Sequence, residues 1–183
     1  MKSRRIVHSV VLALVLFFLL RSEKREYIMA AIVAALIHEL GHLLALTVLD
    51  LKINCIKLEL TGLRIDYSGI STPMKDVLIA LAGPATGMLY YWLLGDVKSG
   101  LLLFSTQLSL AYSLFNLLPV LPLDGGRALL SVTQLFYDDL EYYVTALSYV
   151  LSFVLFGFGI VWMLRGEGNA LLAVALWLLL LQT

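Results

Sequence analysis

Residues 30–49 read AAIVAALIHELGHLLALTVL, an apolar run interrupted by His38, Glu39 and His42. Twenty residues at 1.5 Å each cover the roughly 30 Å of a bilayer's hydrocarbon core, so the run predicts a membrane helix. A glutamate at that depth costs about 2–3 kcal/mol or more unless it is paired or lines a cavity. Two histidines at i and i+4 project from one helical face, close enough to share an ion, with Glu39 beside it. This is the HExxH pattern, in which two imidazoles hold zinc and the intervening glutamate moves protons without binding the metal. In a soluble helix the same five letters are compatible with a solvated surface and no metal. The apolar setting weakens that alternative here.

The rest of the chain shares this character. Of its 183 residues 61% are hydrophobic and 14% charged, and mean hydropathy is +0.92, against roughly half apolar and a quarter charged in soluble domains. Apolar runs at 6–20, 27–49, 74–94, 100–121, 141–164 and 169–181 predict an all-α polytopic membrane protein of about six transmembrane helices. The first run follows Lys2, Arg4 and Arg5 and is followed by Arg21, Ser22 and Glu23, without the small residues of a cleavage site. It therefore reads as a first span and not as a removed signal. With 13 basic and 13 acidic residues there is no basic footprint, and nucleic acid is not an expected partner. Cys55, the single cysteine, allows no internal disulfide and reads as a small apolar strand residue.

Between the second and third spans the period changes. Ile56, Leu58 and Leu60 alternate with Lys57, Glu59 and Thr61; after Gly62, Leu63, Ile65 and Tyr67 alternate with Arg64 and Asp66. Period-two alternation around a glycine predicts a small β-hairpin within 51–72. Too polar to span, it is expected at the membrane surface or against a protein-lined cavity. The fourth span is interrupted by Pro119 and Pro122, and a shorter helix is expected over 126–136. No repeat or linker separates a second domain, so residues 1–183 read as one domain with its core at 27–137.

Six spans put both termini on one side. That side carries Lys2, Arg4, Arg5, Lys52, Lys57, Arg64, Lys75 and Arg127, against Arg21, Lys24, Arg25, Lys98 and Arg165 on the other. The excess predicts a cytoplasmic N-terminus in the cell membrane. A catalytic zinc commonly takes three protein ligands and leaves one position open, so a third ligand is sought. His8 is expected at the interface, and most other acidic residues fall in loops. Asp124 stands at the broken end of the fourth span beside Gly125 and Gly126. The second and fourth spans run in the same direction, placing His42 and Asp124 at similar depth in the cytoplasmic half. A turn or capping aspartate is the alternative reading of Asp-Gly.

Three motifs, His38-Glu39-Leu40-Gly41-His42, Ala82-Gly83-Pro84-Ala85-Thr86-Gly87 and Asn116-Leu117-Leu118-Pro119 leading to Leu123-Asp124-Gly125-Gly126-Arg127, occur in this order over residues 30–136. Together they resemble the site-2 protease family of intramembrane metalloproteases. The resemblance implies one zinc ion held by His38, His42 and Asp124, with Glu39 as general base and acid. It also implies that Asn116 faces the site, to hold a substrate carbonyl or the oxyanion; the alternative is a residue that satisfies backbone freed by Pro119. Gly83 and Gly87 form a GxxxG pair, read as helix packing. No stretch corresponds to the PDZ or CBS domain of some relatives, so the chain looks like a minimal core. It is nearest the bacterial sporulation protease branch, which works in regulated intramembrane proteolysis.

The expected activity is hydrolysis of a peptide bond in a membrane-embedded or membrane-associated protein. The hairpin's edge is suited to hold an unwound substrate strand. A membrane metal-ion transporter is the second reading, since intramembrane His and acidic groups also mark ion paths. It needs ligands on both sides of the site, which the fifth and sixth spans scarcely offer. An inactive scaffold with a vestigial site is the third, and the intact HExxH argues against it. The bilayer and a membrane protein substrate are the expected partners, and a homo-oligomer is compatible with the sequence.

Overall fold

The computed structural model describes residues 25–59, 62–97, 100–136 and 140–165. Among them are five α-helices and one pair of strands: α1 (Arg25–Val48), β1 (Lys52–Glu59), β2 (Gly62–Ser68), α2 (Pro73–Leu94), α3 (Gly100–Asn116), α4 (Asp124–Gln134) and α5 (Glu141–Leu164). Three of them, α1, α2 and α5 over Glu141–Phe158, are long and apolar enough to cross a membrane. Helix α3, at 17 residues, reaches about 25 Å. The expected spans at 6–20 and 169–181, and His8 with them, lie outside the described residues.

Helix α1 is built inside out by the standards of a soluble helix. Its buried face is Ala30, Ala34, His38, Gly41, His42 and Leu46, while Leu36, Leu40, Leu44 and Val48 are each more than half exposed. In lipid, leucine gains nothing from burial against protein, whereas small residues permit close helix approach and polar groups need protein partners. The helix ends at Asp50, whose φ of 56° is left-handed, and the Leu51 N–H donates back to the Leu46 carbonyl at 3.0 Å. That six-to-one bond is a Schellman stop, and it turns the chain into β1.

The hairpin expected from the alternation is present. β1 and β2 pair antiparallel, with Leu58 opposite Leu63 and Glu59 opposite Gly62. The register shifts between Ile53 and Cys55, and Asn54 in that bulge accepts a hydrogen bond at its Oδ1 from Ser68 Oγ at 3.0 Å. Such a bulge bends the strand and raises its twist.

The described residues gather into two compact units. The first holds α1, the hairpin, α2 from Ala82 and α3 to Ser113. Here small residues let helices meet backbone to backbone. A Cβ on Gly41 would strike the Ala82 carbonyl and Thr86 Oγ1, and one on Gly87 would strike Ser113 Oγ. Thr86 Oγ1 donates back to the Ala82 and Gly83 carbonyls, at 2.7 and 2.8 Å, beside the buried Pro84 inside α2. The second unit holds the first nine residues of α2 and the chain from Leu114 onward. Its core is Val120 and Leu123 packed by Phe115, Leu118, Leu151 and Leu155.

Two boundaries differ from the sequence expectation. Helix α3 stops at Asn116, five residues before the expected 121, because Pro119 lacks an N–H and keeps the residue before it from the helical region. Seven irregular residues follow, closed by Val120 N–H to Leu118 O at 2.7 Å and Leu123 N–H to Val120 O at 2.8 Å. Helix α4 starts at Asp124 and not at 126. Both glycines belong to its first turn, because that turn lies on the backbone of the irregular segment. A Cβ on Gly126 would sit 2.6 Å from Leu121 N, and one on Gly125 2.6 Å from Leu118 O.

Candidate metal centre

The helical period of α1 carries His38 and His42 onto one buried face, where they are 2% and 7% exposed. Their rings meet edge to face with centroids 4.9 Å apart, and the two Nε2 atoms stand 3.2 Å apart. Two nitrogens each about 2.0–2.1 Å from one tetrahedral ion would stand about 3.3 Å apart. The pair therefore already has the spacing of two ligands to a single zinc. Tyr112 of α3 packs edgewise on His38, with centroids 4.8 Å apart and planes inclined at 64°. Glu39 follows His38 directly and is half-buried.

Asp124 is the first residue of α4 and is 6% exposed. The N-cap position belongs to Leu123, which offers no side-chain cap, so capping does not explain the aspartate. Its Oδ1 lies 3.7 Å from an Arg127 guanidinium nitrogen one helical turn on. His38, His42 and Asp124 form a buried His-His-Asp group in which one ligand atom from each lies within 4.8 Å of the others. Two imidazoles and a carboxylate are the donor set of a hydrolytic zinc site that keeps a position open, so the residues present fit such an ion.

The remaining expected residue, Asn116, ends α3 and is 7% exposed. Sequence reasoning passed over Tyr112, although it lies one turn before Asn116 on the same face of α3. It also assigned Gly83 to packing alone. A Cβ built there would lie 2.7 Å from His38 Nε2 and against His42 Nε2. No sequence signal marks that contact beyond the glycine itself.

In overall fold the chain is similar to the site-2 protease from Methanocaldococcus jannaschii, with a TM-score of 0.68 over 97% of this chain and 85% of that one, at 23% identity. The fold is that of a site-2 protease. The resemblance carried by the three sequence motifs thus has a matching architecture beneath it. A Synechocystis protein named "Putative zinc metalloprotease" is 35% identical over 108 residues, 52% of this chain. The chain spans 28% of that relative's length. No family model matches the sequence. Among the described residues the site-2 protease fold is mostly helical, with one two-stranded sheet and three helices able to cross a bilayer.

Proposed function

We propose that the chain is an intramembrane zinc endopeptidase of the site-2 protease family, acting on a membrane-embedded or membrane-associated protein. The observation that carries this reading is the buried His38, His42 and Asp124 group, whose two imidazole nitrogens have the spacing of shared ligands. One zinc ion held there would act as a Lewis acid, polarising the scissile carbonyl and making water more acidic. Glu39 accepts the proton of the attacking water and delivers it to the leaving amine. Asn116 donates its amide N–H to the substrate carbonyl or to the oxyanion that forms from it. The β1–β2 sheet offers backbone groups to an unwound substrate segment, which must be extended before its peptide bond is accessible.

The reading places residues 1–183 in one domain, in a multi-pass protein with a cytoplasmic N-terminus and the site in the cytoplasmic half. The test is Glu39→Gln in cells that co-express a panel of tagged single-span and hairpin membrane proteins. The variant is expected to retain zinc in the purified protein and to cleave none of the panel members that the parent cleaves. Cleavage at the parent's rate by a zinc-loaded Glu39→Gln chain removes Glu39 from the mechanism.

A further inference from the structure

Three glycines in the first unit sit where a side chain would collide with a neighbouring helix, and the collisions differ in kind. At Gly41 the nearest atoms are Thr86 Oγ1 and the Ala82 carbonyl; at Gly87 they are Ser113 Oγ, Ser109 Oγ and the Ser109 carbonyl. These are contacts of helix packing. At Gly83 all three nearest atoms belong to the metal-site imidazoles: His42 Nε2, then His38 Nε2 and His42 Cε1, both 2.7 Å from the built Cβ. No backbone atom is among them.

We propose that Gly83 is a metal-seat residue: its bare Cα leaves room for the His38 and His42 imidazoles to stand side by side as joint ligands, and any side chain there displaces the rings. The argument is steric. A carbon 2.7 Å from both His38 Nε2 and His42 Cε1, and nearer still to His42 Nε2, overlaps both rings where they now stand. The rings can escape such a carbon by rotating, but rotation breaks the 3.2 Å Nε2 spacing that makes them joint ligands. That displacement empties the site of metal while leaving both histidines in the chain. The GxxxG pattern therefore divides into two roles, Gly87 for approach to α3 and Gly83 for the placement of the two imidazoles.

This inference rests on the reading of His38, His42 and Asp124 as zinc ligands, and the experiment separates the two. The full-length parent, Gly83→Ala and Gly87→Ala are purified in detergent and equilibrated with zinc alone. Zinc per chain is measured by mass spectrometry, and the melting temperature is recorded with and without a chelator. The parent is expected to hold about one zinc and to melt lower with chelator. Gly83→Ala is expected to hold at least about tenfold less zinc, the scale seen for changes around metal ligands, and to ignore the chelator. Gly87→Ala is expected to keep its zinc, whatever its melting temperature.

A parent without zinc defeats the site reading and the seat with it. A zinc-binding parent and an equally zinc-binding Gly83→Ala defeat the seat alone. Loss of zinc in Gly87→Ala as complete as in Gly83→Ala returns Gly83 to packing. Should Gly83→Ala fail to fold, Gly83→Ala/His38→Ala/His42→Ala is compared with His38→Ala/His42→Ala. Recovery of the fold locates the collision at the imidazoles and supports the seat; continued failure overturns it.

Discussion

The histidines and the aspartate of the candidate site reach burial by opposite routes. His38 and His42 ride an uninterrupted 24-residue helix without proline, and their spacing is a consequence of the helical period. Asp124 is delivered by a chain that leaves α3 at Asn116, takes seven irregular residues and re-enters a helix. The histidine side demands little of its own backbone and much of its neighbour, since only small residues on α2 can lie against it. The aspartate side demands much of its own backbone. Each freed N–H and C=O needs a partner where water is scarce, and Gly125 and Gly126 must keep the first turn of α4 clear of the loop. Regular geometry makes the first half rigid by default, whereas the second half is held by individual hydrogen bonds.

The largest test of this contrast removes one ligand from each side. His42→Ala is expected to reduce zinc to background and abolish proteolysis. Asp124→Ala is expected to do the same, and Asp124→Asn, which keeps an oxygen donor without the charge, to fall between. Metal analysis of the purified variants measures all three. Full zinc retention by Asp124→Ala would leave the metal to the histidine side alone.

Next in size is the backbone fit of the irregular segment. Gly126→Ala places a carbon 2.6 Å from Leu121 N and Val120 O, neither of which can swing aside. Overpacking of this kind costs about 1–3 kcal/mol or more. Unfolding in a denaturing detergent series measures it, and a neutral result would show that the segment yields where the contact geometry says it cannot.

The same contrast explains what was legible in the sequence. The HExxH helix and the hairpin were readable because periods of 3.6 and 2 repeat in the letters. The end of α3 was not. Leu117, Leu118, Val120 and Leu121 continue an apolar run, and hydropathy is blind to the conformational effect of Pro119 on the residue before it. Asp124 was legible as an acid in the wrong company, but its place inside the first turn of α4 depends on two glycines packing on a loop, a tertiary fact. Gly83 was the least legible. A glycine has no chemistry to announce, and only the imidazoles beside it in space disclose what its missing side chain leaves open.

A smaller effect is expected at Ser148 of α5. Its hydroxyl accepts the Leu121 N–H at 3.1 Å and donates to the Val144 carbonyl at 2.9 Å. Ser148→Ala is expected to cost about 1 kcal/mol, the usual net value of one hydrogen bond, and to loosen the segment before Asp124 without changing His38 or His42. Raised amide exchange over 117–123 with α1 unchanged is the signature. Equal exchange in both regions would mean that the two sides are coupled more tightly than their separate constructions suggest.

The smallest effect is expected on the outer face of α1. Leu44 is 60% exposed and lies outside the buried stripe that carries the histidines. Truncating a leucine buried in protein costs about 2–5 kcal/mol through lost transfer energy and a residual cavity. At a lipid-facing position no cavity forms, because acyl chains refill the space, and a substitution outside any packed core stays within about 0.5 kcal/mol. Leu44→Ala is therefore expected to leave both unfolding and zinc content nearly unchanged. A cost above about 2 kcal/mol would place protein, not lipid, against that face, and the inside-out account of α1 would have to give way to one in which its leucines are also packed.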